Sequence, residues 1–282
     1  MTTVEQLTGS AARPVDWPPA PSRPSVAVRD LVQGLSNSWI WTALAMQDIR
    51  LRYRGSALGP FWLTISMLVM SVTMGAIYPH LFHISASSYI PYLVVGLVLW
   101  QFVSTTVIES CSTFVAVESV IRQAPMPFSV HAFRVVCRNL IVLGHNAILI
   151  PFGLLLFRLP IDWRIMLLAP ALVLLSVNAL WVSLLLGIVS ARFRDVPPIV
   201  ASFLQVLFFV TPIFWQPDAL GRWKILAAVN PLFAAIDILR APLLGVPTQP
   251  YSWWVILAVT LLGSGGTFLF FTRFRSRIAY WL

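Results

Sequence analysis

The sequence predicts an all-α integral membrane protein. The expected parts are about six transmembrane helices, an N-terminal amphipathic interfacial helix, and a re-entrant, outward-facing helical hairpin between spans 5 and 6. Three observations lead there. Of the 282 residues, 58% are hydrophobic and only 10% are charged, with a mean hydropathy of +0.82. A soluble domain carries roughly 25% charged residues. Apolar stretches of membrane-spanning length recur along the chain, and the basic residues flank them instead of interrupting them. The net charge of +9 therefore points to anionic lipid headgroups, not to nucleic acid.

Residues 1–35 are polar and rich in Pro and Ala, without the basic start and short apolar core of a signal peptide, and are expected to form a mobile cytoplasmic tail. The transmembrane domain then occupies 36–282. It opens with an interfacial helix over 38–54, where Trp39, Ala43, Met46, Ile49 and Tyr53 fall near one face and Gln47, Arg50 and Arg54 on another. Asp48 and Arg52 have the acid-first i,i+4 spacing of a helical ion pair. The expected spans are 61–82, 90–109, 139–157, 165–189, 199–215 and 253–271. The fifth is the shortest.

Between the last two spans, residues 217–246 carry Arg222, Lys224, Asp237 and Arg240. A lipid-exposed span does not hold so many charges cheaply, so two short helices at one membrane face are expected. Asn230 followed by Pro231 reads as an N-cap with Pro at the first helical position, starting a helix over 231–239. Asp237 and Arg240 are spaced for an i,i+3 pair.

Orientation follows from the basic residues. All but five of the 19 lysines and arginines lie in the N-terminal segment, in the loops around 122–138 and 192–194, or in the C-terminal segment. The five are Arg158, Arg164, Arg222, Lys224 and Arg240. Both termini are thus expected to be cytoplasmic and the hairpin to face outward.

The motifs are modest in number. Lys224 is the only lysine, and no glycine-rich loop leads into a Lys-Ser or Lys-Thr pair, so a Walker A phosphate cradle is absent. Neither H-E-x-x-H nor G-x-S-x-G occurs. Cys111 and Cys137 have no metal-ligand spacing around them and read as small packing residues. No metal site is expected.

The run Arg50-Leu-Arg52-Tyr53-Arg54-Gly-Ser satisfies the positive-inside rule, and it also offers a phosphate clamp. Guanidiniums at headgroup depth pair bidentately with a diphosphate, and Tyr53 adds a hydroxyl donor. Gly55 and Gly59 allow a steep turn into the bilayer. Ile121, Arg122, Gln123, Pro125, Pro127 and Phe128 form a short amphipathic piece ended by prolines. It is either an ordinary loop or a coupling helix that docks in a partner's groove. Arg192, Arg194 and Asp195 make a tighter turn, in which Asp195 has either arginine within reach.

Glu109, His145, Asn146 and Asn178 are the costly residues inside the spans. Helix–helix hydrogen bonding and proton coupling are both open to them. The abundant Trp and Phe serve interfacial belts or line a passage.

Taken in order, these motifs resemble the ABC-2 type permeases for polysaccharide export, the membrane subunits that export O-antigen, capsule or teichoic acid chains. The stretch from Asp48 through Gly59 to Trp62 is similar to that family's opening signature, and 121–128 to its coupling segment. Residues 191–195 look like its second cytoplasmic loop, and 211–215 with 230–233 and 240–245 like its outward-facing re-entrant region. The C-terminal 277–281 is similar to family endings. The chain departs from the pattern at Ala124-Pro125-Met126, where a bulkier or aromatic step is usual.

The resemblance implies a homodimer of six-span subunits paired with two copies of a separate nucleotide-binding subunit. ATP and Mg would sit on that partner, and this chain would carry no cofactor. It further implies a lipid-linked polysaccharide as substrate, its diphosphate received by Arg50, Arg52, Tyr53 and Arg54. Trp215, Asn230, Pro231, Asp237 and Arg240 would belong to the outward gate, in the inner (cytoplasmic) membrane. Three other classes compete. An ABC-2 exporter of small hydrophobic molecules needs no diphosphate clamp. A proton-driven carrier predicts inverted repeats. A membrane-embedded transferase needs a cluster of acids, whereas Asp162, Asp218 and Asp237 are widely spread.

Overall fold

The computed structural model describes residues 22–59, 61–124, 126–158, 162–217, 227 and 229–282. Among them every regular element is helical: α1 (Arg23–Ser36), α2 (Ser38–Arg52), α3 (Phe61–Phe82), α4 (Ala86–Ser110), α5 (Glu118–Gln123), α6 (Ser129–Asn146), α7 (Leu149–Leu156), α8 (Leu168–Arg192), α9 (Val196–Val210), α10 (Pro231–Leu243), α11 (Ser252–Phe274) and α12 (Ile278–Trp281). Short 3₁₀ turns precede α5 and α8 and link α11 to α12.

Five helical stretches are long and apolar enough to cross a membrane: Phe61–Leu81, Ala86–Ser110, Ser129–Leu156, Trp163–Arg192 and Ser252–Trp281. The chain is a multi-pass membrane protein. The fifth expected span is a 15-residue helix, α9. At about 1.5 Å per residue it reaches roughly 22 Å, short of the ~30 Å hydrocarbon core. Irregular chain at 211–215 continues from it.

The core is built around α4, which packs against α3, α6 and α8 and buries Leu93, Val95, Leu97, Val98 and Phe102. Apolar side chains left outward on α3 and α9, such as Val72 and Phe203, face the bilayer solvent that such helices require. A second cluster closes the other end: Phe114, Leu184, Ile188, Phe271 and Ile278 pack together, with Ile121 and Phe128 against them.

The basic residues segregate to two ends of this bundle. Arg164 donates to the Gly245 carbonyl at 3.1 Å, so it shares an end with α10, here the hairpin end. Arg52, Arg134, Arg138, Arg192 and Arg275 lie at the opposite, arginine-rich end, where α2, α5 and α12 gather.

Two boundaries differ from expectation. The stretch expected as a tail is a helix over 23–36, started by Ser22, whose side chain accepts from Ser25 N, with Pro24 in the first turn. The third crossing begins at Ser129, ten residues before the expected 139. Arg134 and Arg138 lower the hydropathy of its first turns, but both find carboxylates inside the fold. Residues 1–21, and the part of the hairpin at 218–226, lie outside the described residues.

Candidate functional site

The arginine-rich end is organised by a charge network that local spacing did not reveal. The turn after α2 uses Gly55 and Gly59 at φ +82° and +54°, a left-handed backbone that other residues adopt at a cost. It sets α2 across the end of the bundle and against α6. Ala45 and Ile49 form the packed face, while Trp39, expected on that same face, is 71% exposed.

Asp48 does not pair with Arg52 as the i,i+4 spacing suggested. It accepts from Arg134 Nε at 2.8 Å and forms ion pairs with Arg134 and Arg138. Arg52 instead pairs with Glu109, at the end of α4. Glu109 also takes Arg138 at 2.6 Å and Asn139 at 2.8 Å. Two carboxylates thus hold three guanidiniums and one amide, joining α2, α4 and α6, and the cluster retains one net positive charge. Burial alone would raise the Asp48 carboxyl; hydrogen bonds and charge from Arg134 and Arg138 outweigh it and hold it below the usual carboxylate range.

This arrangement sorts the expected clamp. Arg52 is committed to Glu109 and the Tyr53 hydroxyl is buried. Arg50 and Arg54 are exposed beside the network.

The expected coupling residues lie on and after α5. Arg122 bridges to Glu118 at 2.9 Å on the exposed side, Gln123 ends the helix, and Ile121 packs under it. Pro125 lies outside the described residues. Pro127 leads to Phe128, whose ring meets Phe114 edge-on at 6.0 Å.

The segment is anchored by a residue that sequence reasoning missed. Asp30 of α1 has a fully buried side chain and accepts from Phe128 N at 3.1 Å and Ser129 N at 3.0 Å, capping α6. It also accepts from Arg275 Nε at 2.7 Å, so one carboxylate joins the N-terminal helix, the exit from the coupling segment and the C-terminal segment. Its place beside Arg29, in a stretch expected as a tail, gave no sign of this role in the sequence.

In the second turn, Arg192, Arg194 and Asp195 are all exposed, and among the described residues none of them forms an ion pair with another. Asp195 stands at the N-cap position of α9. The Arg192 guanidinium lies 5.6 Å from the Trp281 ring centre.

At the hairpin end, Asn230 caps α10 as its sequence predicts, accepting from Leu232 N at 2.9 Å and donating to Thr211 at 2.9 Å. Pro231 is the first residue of that helix. Asp237 and Arg240 do not pair with each other. Asp237 accepts from Gln249 N at 2.9 Å and Ser252 Oγ at 2.7 Å. Arg240 is 3% exposed, donates to the Pro212 carbonyl at 3.0 Å and lies 3.8 Å from the Tyr92 ring centre.

Irregular backbone inside a membrane protein needs partners for its carbonyls within the fold, and in 211–215 the carbonyls of Pro212, Phe214 and Trp215 find side-chain donors. Tyr89 donates to the Phe214 carbonyl at 2.7 Å, and Tyr92 donates to Trp215 at 3.0 Å. Trp215 in turn donates to the Phe209 carbonyl at 3.0 Å. Gly96 makes room: a Cβ there would sit 2.9 Å from the Ile213 oxygen.

Of the intramembrane polar residues, Asn146 and Asn178 bond between helices. The buried Nε2 of His145 has no hydrogen-bond partner among the described residues, and its ring meets Phe61 edge-on at 4.6 Å. Thr64 donates to Asn146 at 2.9 Å. Asn178 donates to Thr260 at 2.6 Å and accepts from Trp181 at 2.8 Å. Among the described residues no cluster suits a metal ion.

A bundle of spanning helices, with one helix laid across its arginine-rich end and a capped, charge-bearing helix at the other, is the membrane part of the molecule. The ABC-2 type transporter family matches residues 41–244, and the chain belongs to it; the match gives its class as a transport subunit. It is similar to an O-antigen export system permease protein RfbA of Klebsiella pneumoniae, with 24% identity over 67% of this chain and 74% of that one. A protein of the same name from Myxococcus xanthus is 27% identical over 71% of this chain and 78% of its own.

Proposed function

We propose that this permease is the membrane-spanning subunit of an ATP-driven exporter. It moves a polyprenyl-diphosphate-linked polysaccharide, an O-antigen or similar cell-surface glycan, across the cytoplasmic membrane, with both termini on the cytoplasmic side. Two copies form the passage, and two copies of a separate nucleotide-binding subunit supply ATP hydrolysis and hold the Mg. The similarity to permeases named for O-antigen export supports the glycan.

The single observation that carries the diphosphate reading is the pair Arg50 and Arg54. Both stay exposed at the bilayer end of α2, while Arg52, between them, is tied to Glu109. A diphosphate is recognised by guanidiniums that are free to form bidentate bonds. Arg50 and Arg54 are therefore the receivers, and Arg52 positions them. ATP binding by the partner moves α5, and Phe128 and Asp30 pass that movement to α6.

The test separates these roles. Arg50→Gln/Arg54→Gln should lower surface glycan at least tenfold, the order of two lost charge-assisted contacts. Carrier-linked glycan should accumulate inside, while the subunit still purifies with its partner. Undiminished surface glycan with a complex that assembles rejects the diphosphate site at Arg50 and Arg54.

A further inference from the structure

We propose that a groove between the ends of α8 and α11 binds one anionic phospholipid. The groove holds about 570 Å³. Ile188, Val189 and Phe270 form its floor, and Arg192, Arg277 and Trp281 stand on its rim. Arg192 is the last residue of α8, and Phe274 the last of α11. Both helices belong to membrane-spanning stretches, so the rim lies at headgroup depth and the floor one turn inside, at acyl depth.

The charges there lack counter-ions. Arg192, Arg273 and Arg277 have no carboxylate within ion-pair distance among the described residues. Their guanidiniums rest on rings instead: Arg192 lies 5.6 Å from the centre of Trp281, Arg277 5.9 Å from Phe274 and Arg273 5.7 Å from the same ring. Such stacking orients a cation without neutralising it. Like charges gathered at a membrane surface attract an anion.

The floor decides which anion. Free phosphate would leave the apolar floor uncovered. A lipid phosphate on Arg192 and Arg277 brings its own acyl chain down onto Val189 and Phe270, which are both part-exposed. Because α12 packs against α5 as well as α8, the bound lipid would cement the platform from which the coupling helix projects. This reading concerns the chain by itself and stands whatever the cargo is.

The experiment uses the full chain, purified and challenged with dioleoyl phosphatidylglycerol or dioleoyl phosphatidylcholine, with retained lipid read by native mass spectrometry. The chain should retain phosphatidylglycerol preferentially, and excess inorganic phosphate should not displace it. In Arg192→Gln/Arg277→Gln that retention should fall roughly thirtyfold, the effect of two basic residues near an anionic lipid; phosphatidylcholine should be unaffected. Equal retention of the two lipids, no change in the variant, or displacement by phosphate would each overturn the proposal. Should the variant not fold, photoreactive phosphatidylglycerol on the unaltered chain decides: crosslinks within 188–193 and 270–281 support the site, and crosslinks elsewhere remove it.

Discussion

Arg138 and Arg240 occupy opposite ends of the bundle, and both are largely withdrawn from solvent, with 12% of the side chain exposed for the first and 3% of the residue for the second. Arg138 is held by Asp48 and Glu109. Arg240 is held by a backbone carbonyl and the face of Tyr92. The first solution is ionic: two carboxylates share three guanidiniums among three helices. The second uses neutral partners fixed in the chain, so it pins irregular backbone. One end is held by charge shared between helices, the other by neutral groups of the chain itself.

Three substitutions or conditions probe that contrast. The largest effect is expected from Glu109→Ala. It strands Arg138 and Arg52 beside a single remaining acid, and breaking a buried ion pair from one side costs about 3–5 kcal/mol. Thermal unfolding in detergent should show the loss, and Glu109→Gln/Arg138→Gln should recover part of it. If the double variant is no better than the single one, the network is not held by charge.

A smaller loss, about 1–3 kcal/mol, is expected from Arg240→Met, which removes the charged one of the two donors to the Pro212 carbonyl and leaves Tyr92, at 3.1 Å, as the other. No partner change can rescue it, because the partner is main chain. A stability equal to the unaltered chain would mean that 211–215 is held by the tyrosines alone.

The smallest effect is on pH. Asp48 has a lowered native pKa, so its contribution is complete above about pH 4, the ordinary carboxylate value. It is lost as pH falls through the lower native value. Pepsin should therefore cut within 38–52 before it cuts within 231–243 as the solution is acidified. The reverse order would mean that the hairpin end is the weaker.

The sequence made some parts of this fold legible and hid others for a physical reason. The first span coincides with α3, and the Asn230-Pro231 cap starts α10 as expected, because both signals are local. The Asp48/Arg52 and Asp237/Arg240 spacings were also local, and each failed, since partners far along the chain bind more strongly. Arg52 reaches Glu109 across 57 positions and Arg134 reaches Asp48 across 86. Hydropathy placed the start of the third span too late because it counts Arg134 and Arg138 as if unpaired. The exposed pair Arg50 and Arg54 could be named from the motif, but only the fold distinguishes them from Arg52.

Asp30 carries a consequence for anyone who would cut this protein down. The family match begins at residue 41, after α1 has ended, and a fragment cloned from that boundary would omit the carboxylate altogether. Phe128 and Ser129 would start α6 with two amides facing no acceptor, and Arg275 would lose its anion. The unit recognised by ancestry and the unit that folds are not the same length here. The extra helix is the keystone set into the arch after its voussoirs.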